Sequence, residues 1–242
     1  MLHRRATLLT LLLALLLGGC GLAGEDRTPD YRYRLTVEVD TPEGLRTGSS
    51  VIAVEQNMGR SAGTGFGKII MRRIRGEAVA VDLPGGHTLF ALLRSEDETD
   101  WAGTVMHYLA PKVEDEKFEE KFDNVLLIEG ERELPRQWPP FAGGLILSGY
   151  PTLVRFADIA DPKTVEKVDP DDLAAVFGEG VKLRRITVQL TDDPVTVGIE
   201  KRLGWLETTR GRLLRRPGET PIGDLPIEYQ IGKISFKRSD TR

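Results

Sequence analysis

The strongest constraint on the fold lies in ten residues that alternate between apolar and polar side chains. Over residues 31–40 (YRYRLTVEVD) the odd positions are apolar or aromatic and the even positions are polar. Successive side chains of a β-strand point to opposite faces of a sheet, so this period of two predicts a strand with one buried face. Residues 41–44 (TPEG) then form a turn sequence. With the β-prone run that follows, they predict a β-hairpin.

Short β-prone runs continue through the first half of the chain, and turn residues separate them. They occupy residues 49–55, 68–74, 77–83, 87–93 and 103–109. Several short strands with turn signals between them predict an antiparallel sheet or sandwich. We therefore expect a β-rich, sandwich-like region over residues 31–136.

The second half of the chain combines strands with two short helices. Asp169-Pro170 opens an apolar segment that ends at Gly178, and Asp193-Pro194 opens another with helical spacing up to Leu206. Asp is favoured as the N-cap of a helix and Pro at its first position. Strands are predicted over residues 151–156, 182–190 and 227–236, with an irregularity at Arg184-Arg185, and a charged surface helix over residues 112–122. The predicted fold class is mainly β or α+β.

The overall charge and the single cysteine exclude several classes of protein. The chain holds 33 Lys and Arg against 37 Asp and Glu, a formal net charge of −4. Affinity for phosphate backbones needs a basic surface, so this balance argues against a nucleic-acid partner. One cysteine allows no internal disulfide and no multi-cysteine zinc or iron–sulfur site. We expect neither a cofactor nor a metal.

The first twenty residues have the order of a secretory signal peptide. Two arginines precede an almost wholly apolar run over residues 6–17, and Gly18, Gly19 and Cys20 follow it. A helix needs roughly 20 apolar residues to span a bilayer, and this run is shorter. No later apolar run approaches that length, so we expect a soluble mature chain after removal of residues 1–19.

The junction Leu17-Gly18-Gly19-Cys20 resembles the lipobox of bacterial lipoproteins, which consists of an aliphatic residue, two small residues and an obligatory cysteine. The resemblance implies that the Cys20 thiol takes up a diacylglyceryl group, that the bond between Gly19 and Cys20 is cut, and that the new amino group is acylated, for example with palmitate. A plain signal peptide is the alternative. It would leave a lone thiol in an oxidising compartment, where such a thiol is a liability.

The residues after the cysteine predict a tether and a location. Residues 22–30 (LAGEDRTPD) are small, polar and acidic, which suits a flexible tether. In lipoproteins, Asp after the cysteine favours the inner membrane, whereas this chain has Gly21. The resemblance therefore implies the periplasmic face of the outer membrane. The two arginines lost with residues 1–19 change the net charge from −4 to −6, so the lipid has to supply the attachment.

These boundaries divide the chain into five segments. They are a signal peptide over residues 1–19, a lipidated tether over 20–30, a β-rich region over 31–136, a Pro/Gly-rich linker over 137–150 and an α+β region over 151–242. The linker contains prolines and glycines that disfavour both helix and central strand. A single body that joins the β-rich and α+β regions is the alternative.

Four arginines near the C-terminus are the candidate binding residues. Residues 209–219 (TRGRLLRRPGE) contain Arg210, Arg212, Arg215 and Arg216. Clustered cations attract anionic headgroups, lipopolysaccharide phosphates or acidic partners. A solvated loop face is the alternative interpretation. Solvation is the default explanation for such arginines, and these four are the candidate contacts for an anionic partner.

Catalytic residues are harder to assign. Once His3 leaves with the signal peptide, His87 and His107 are the available histidine bases. Aspartates cluster at positions 158, 161, 169, 171, 172, 192 and 193. However, no serine lies in a nucleophile-elbow sequence, and the aspartates lack the Gly and distal Glu of a calcium-binding EF-hand loop. No catalytic residue is therefore assigned.

Together these features predict a lipid-anchored, non-catalytic module of the cell envelope that faces the periplasm. It would engage the membrane through the lipid on Cys20 and bind or scaffold an envelope protein or a glycan. Two alternatives stay open. One is a lipid-anchored hydrolase that uses His87 or His107 with a central Asp. The other is a lipoprotein that binds a small ligand in a pocket between sheet and helices.

Overall fold

The structure is a computed structural model that describes residues 28–60, 67–141 and 143–239. Within these residues, ten strands form two antiparallel sheets. The strands are β1 (Tyr31–Thr41), β2 (Gly44–Arg60), β3 (Lys68–Glu77), β4 (Val79–Asp82), β5 (Thr88–Ala91), β6 (Arg132–Glu133), β7 (Leu153–Phe156), β8 (Val165–Lys167), β9 (Lys182–Leu190) and β10 (Lys237–Arg238). The described helices are α1 (Trp101–Leu109), α2 (Ala174–Phe177), α3 (Ile227–Gln230) and α4 (Lys233–Phe236). The predicted β-rich fold class with short helices is confirmed.

The alternating segment near the start of the chain is confirmed as β1, an interior strand of the larger sheet. The strand order in that sheet is β10-β3-β2-β1-β9-β6. Along β1, buried side chains alternate with half-exposed ones over the whole strand, as the period of two requires. A tight turn joins β1 to β2, where the Thr41 hydroxyl donates to the carbonyl of Gly44 (2.7 Å). Gly44 has φ +111°, a conformation that favours glycine.

The predicted irregularity in β9 is confirmed as a β-bulge. Glu38 of β1 pairs with Arg185, whereas the next residue, Val39, pairs with Leu183. Arg184 is therefore an extra residue on β9, the arrangement that defines a bulge. Strand β9 pairs with β1, and β7 pairs with β5. Each sheet thus contains strands from both sides of residues 137–150.

Strand β5 lies between two hydrophobic cores. The smaller sheet has the order β4-β5-β7-β8. Leu89 and Ala91 of β5 pack in one core with the inward side chains of β1 and with α1, whereas Phe90 packs in a second core. The second core is closed by apolar side chains from the C-terminal segment, residues 199–236. This C-terminal segment is built of short helices and 3-10 turns.

Two predicted strands are helical in the structure. Residues 103–109 belong to α1, where Trp101, Ala102, Val105 and Met106 are buried. These residues repeat at intervals of four along one helix face, and their burial overrides the β-propensity of the segment. Residues 227–236 form α3 and α4, and only β10 pairs with β3 beyond them.

Three predicted helices are shorter than expected or displaced. After Asp169-Pro170, α2 begins only at Ala174, because the Asp169 carboxylate accepts from the N–H of Asp171 (2.9 Å) and stabilises a separate turn. The segment after Asp193-Pro194 contains only 3-10 turns at Ile199–Lys201 and Gly204–Leu206. Gly198 has φ +115°, which interrupts the predicted helix. In place of a helix over 112–122, a 3-10 helix spans Glu120–Leu127.

A buried carboxylate fastens the C-terminal segment to the larger sheet. The side chain of Glu77, at the end of β3, is 3% exposed. It accepts from the N–H groups of Gly198 (3.0 Å) and Ile199 (2.8 Å), and its oxygen lies 3.0 Å from the Lys237 ammonium. Burial opposes the charge of Lys237, but its hydrogen bonds to Glu200 and Glu77 outweigh burial and raise the pKa of the ammonium.

We expect Glu77→Ala to lower the free energy of unfolding by about 3 kcal/mol, because two backbone donors and a half-buried ammonium lose their acceptor. Urea unfolding monitored by circular dichroism measures the loss. Glu200→Ala is the matched control, since the Glu200 side chain is 29% exposed and bonds the same ammonium; it should cost less than about 1 kcal/mol. Equal losses in the two variants would contradict this role for Glu77.

Candidate anion-binding site

Two of the four arginines predicted to contact an anion line one cavity. Arg210 and Arg212 lie on its wall, whereas Arg215 and Arg216 are not among its lining residues. Arg216 donates to the carbonyl of Glu219 in a local turn. The structure therefore brings together only the first pair of this cluster.

The cavity has a volume of about 630 Å³, which is within the range of small-molecule sites. It lies between the end of β5 and the C-terminal segment. Its lining residues are Arg94, Thr99, Thr209, Arg210, Gly211, Arg212, Ile222, Gln230, Gly232, Lys233, Ile234 and Ser235. Four of these side chains are cations, and none is an Asp or Glu. The cavity therefore has a strong positive charge in a protein whose net charge is negative.

Backbone hydrogen bonds set the positions of these cations. The N–H of Leu93, just before Arg94, donates to the carbonyl of Ser235 (2.8 Å). Arg212 and Gly232 form an antiparallel bridge, and a Cβ at Gly232 would lie 2.2 Å from the carbonyl oxygen of Gly211. Only glycine permits this close approach of the two segments, so the wall that carries Arg212 and Lys233 depends on it.

Arg94 is the most deeply buried of the four cations, at 5% exposure. Its Nε donates to the carbonyl of Ser95 (3.0 Å), and its Nη2 donates to the carbonyl of Glu96 (3.5 Å) and to Oε1 of Gln230 (3.3 Å). The amide of Gln230 is oriented for this contact, because its Nε2 donates to the carbonyl of Leu225 (2.7 Å). Nη1 has no hydrogen-bond partner in the described part of the chain. Arg94 thus lines the cavity with one nitrogen of its guanidinium unused by the described residues.

The charge of Arg94 is uncompensated. Burial, together with the positive charges of Arg212 and Arg238, lowers the pKa of its guanidinium. Arg238 itself is paired with Asp100 (2.9 Å). Within residues 28–60, 67–141 and 143–239, no ion pair involves any of the four cavity cations. A buried charge is ordinarily paired, so this arrangement favours the binding of an anion.

The two histidines lie elsewhere in the fold. His107, on α1, is 2.8 Å from Oε1 of Gln56, and its ring lies edge-on to Tyr31 and Phe122. Burial and the charge of Arg72 lower the pKa of His107 to about 4. His87 is exposed and lines a smaller cavity of about 240 Å³ together with Asp158. Neither histidine is hydrogen-bonded to a carboxylate or a hydroxyl among the described residues.

The clustered aspartates stabilise local turns. Asp158 accepts from the N–H of Ala160 (2.9 Å), Asp161 from that of Lys163 (2.9 Å), and Asp172 from that of Ala175 (3.1 Å). Asp171 and Asp193 pair with Arg136 and Arg34. In the part of the chain that the structure describes, no group of three His, Cys, Asp or Glu residues is placed to hold a metal ion.

Cys20 and the predicted signal peptide lie outside the described residues. Of the helices that the structure describes, none combines the length and apolar character needed to cross a bilayer. Comparison with known proteins finds no match to this chain among family models, curated proteins or solved structures.

Sequence reasoning missed the two cavity cations that lie outside the arginine-rich stretch. Arg94 directly follows a buried apolar run and precedes Ser95 and three acidic residues. This local sequence is typical of the end of a strand. Lys233 lies in a segment that the sequence predicts to be a strand. A cation that closes an apolar run is the signal that could have pointed to Arg94, since buried Arg is rare without a partner.

The low pKa of His107 predicts a pH-dependent stability. The unfolded chain takes up a proton near the ordinary value of 6.5, whereas the folded chain does so at about 4. The unfolded state therefore binds more protons between these values, and stability falls as pH drops through this window, by up to about 3 kcal/mol.

We expect His107→Gln to remove most of this loss, because Gln keeps a polar contact with Gln56 and does not titrate. The measurement is urea unfolding at about pH 7 and about pH 4.5. The control is His87→Gln, an exposed site, which should retain the loss seen in the unmodified protein. A His107→Gln variant with an unchanged difference between the two pH values would show that another group is responsible.

Proposed function

We propose that this protein is a lipid-anchored, non-catalytic binding module of the bacterial cell envelope, which faces the periplasm and binds an anionic envelope component. The observation that carries the binding role is the buried, unpaired guanidinium of Arg94 in a cavity with three further cations. The anchor is the lipid on Cys20, inferred from the resemblance of residues 17–20 to a lipobox.

The contacts at the start of the folded body support the division into tether and globule. The side-chain amide of Gln56 donates to the carbonyl of Pro29 (3.0 Å), and the backbone N–H of Gln56 donates to the Asp30 carboxylate (2.9 Å). Gln56 is itself buried. Pro29 and Asp30, the last residues of the tether predicted over residues 20–30, are therefore bound to β2, and we place the end of the tether before them.

The composition of the cavity wall favours binding over catalysis. Its polar side chains are Arg, Lys, Thr, Ser and Gln, and none of its lining residues is a histidine or a carboxylate. Hydrolysis by acid–base chemistry needs a group that exchanges a proton near the pH of the compartment. Arginine stays protonated, so Arg94 can hold an anion but cannot serve as the base. The alternative of a small-ligand-binding lipoprotein is compatible with the same cavity.

The anchor is tested by Cys20→Ser. We expect this variant to lose all label from a metabolically incorporated palmitate analogue, because the serine hydroxyl does not accept the diacylglyceryl group. Gly21→Asp is the matched control: it keeps the cysteine, should stay labelled and should shift from the outer to the inner membrane fraction. A labelled Cys20→Ser protein would refute the lipid anchor, whereas a labelled, unmodified protein in the inner membrane fraction would refute only the predicted location.

A further inference from the structure

We infer that the cavity lined by Arg94 and Arg212 binds a phosphate monoester attached to an aliphatic group. This inference rests on the proposed function and adds the chemical class of the ligand. It follows from three properties of the cavity: its charge, its hydroxyl donors and the two isoleucines at its edge.

The positive charge of the cavity favours a dianionic ligand. The side chains of Arg94, Arg210, Arg212 and Lys233 line the cavity, and no acidic side chain of the described residues does. One carboxylate is satisfied by a single bidentate guanidinium in one plane. Four cations around one cavity match a group that presents several oxygens, and the phosphate of a monoester carries nearly two negative charges at neutral pH.

The hydroxyl groups of the wall extend this match. Thr99, Thr209 and Ser235 each have a hydroxyl on a residue that lines the cavity. The Ser235 oxygen accepts weakly from the N–H of Gly232 (3.3 Å), which leaves its own proton available to a ligand. Hydroxyl and guanidinium donors together are typical contacts for the oxygens of a phosphate.

The isoleucines indicate that the ligand is more than a bare anion. Ile234 is 59% exposed and Ile222 is 36% exposed, and both line the cavity beside the cations. Ile234 follows Lys233 on α4, and both residues line the cavity. The volume of about 630 Å³ also exceeds what inorganic phosphate alone would fill.

Titration calorimetry on the full mature protein in a non-ionic detergent tests the ligand class. Hexyl phosphate should bind at least about tenfold more tightly than glycerol 3-phosphate, because its chain buries apolar surface against the isoleucines. Hexanoate, with the same apolar character and one charge, should bind more weakly than either phosphate. Binding of hexanoate as tight as that of hexyl phosphate would overturn the proposal.

Variants place the ligand in the cavity. Arg94→Met and Arg212→Gln should each weaken hexyl phosphate binding by about tenfold or more, whereas Arg215→Gln, an exposed arginine outside the cavity, should leave it unchanged. Arg212 is exposed, so its replacement keeps the test valid if Arg94→Met does not fold. Ile234→Ser should weaken only hexyl phosphate and leave glycerol 3-phosphate unaffected. Unchanged affinity in Arg212→Gln would overturn the proposal.

A vesicle flotation experiment distinguishes a lipid-borne ligand from a soluble one. Flotation with phosphatidylcholine vesicles, with and without phosphatidic acid, is carried out on a Cys20→Ser protein expressed without residues 1–19, which carries neither the lipid nor the apolar leader. Flotation that needs both phosphatidic acid and Arg212 supports a phosphate on a membrane lipid, whereas binding of hexyl phosphate without flotation supports a soluble monoester. Failure to bind any phosphate monoester would overturn this inference, but it would leave the lipid anchor, which the palmitate label tests independently.

Discussion

Burial of β5 on both faces is the constraint on which the rest of the structure depends. Its side chains alternate between the core shared with β1 and the core that holds Phe90, so other elements must pack against both faces of the strand. The larger sheet packs against one face. The C-terminal segment packs against the other face, and a few contacts hold this segment in place, including those of Glu77 and the hydrogen bond from Leu93 to Ser235. The cavity that Arg94 lines lies between this segment and the end of β5.

The regular part of this architecture could be predicted from the sequence because each signal there is local. The alternation over residues 31–40 is sufficient to predict β1, because a strand that is buried on one face requires apolar side chains at every second position. The bulge at Arg184 is visible for the same reason, because two consecutive arginines break the alternation of β9. Turn residues likewise locate the connections from β1 to β2 and from β4 to β5, whereas β6, β8 and β10 are only two or three residues long and are not predicted.

The helices of the structure depend on tertiary contacts that no local pattern shows. Residues 103–109 are rich in residues that fit a strand, yet α1 is helical because Trp101 and Met106 fill the core beside β1. The hydroxyl of Tyr33 donates to the carbonyl of Ala102 (2.8 Å), which ties the first turn of α1 to the sheet. The cavity follows the same rule. Its cations come from position 94 and from positions 210–233, and only the folding of the C-terminal segment onto β5 brings them together.

The contrast between the cavity and the rest of the surface argues for a discrete ligand. The chain has 37 acidic residues and so an abundant supply of counter-charges, yet none of those that the structure describes lines the cavity. Keeping like charges together in this way costs stability, a pattern that is typical of functional sites. At physiological salt, charges act over about 8 Å, so the acidic exterior disfavours a broad anionic surface while the cavity cations still act on a group that enters. The electrostatics of the fold therefore favour a small anion inside the cavity over an extended anionic surface around it.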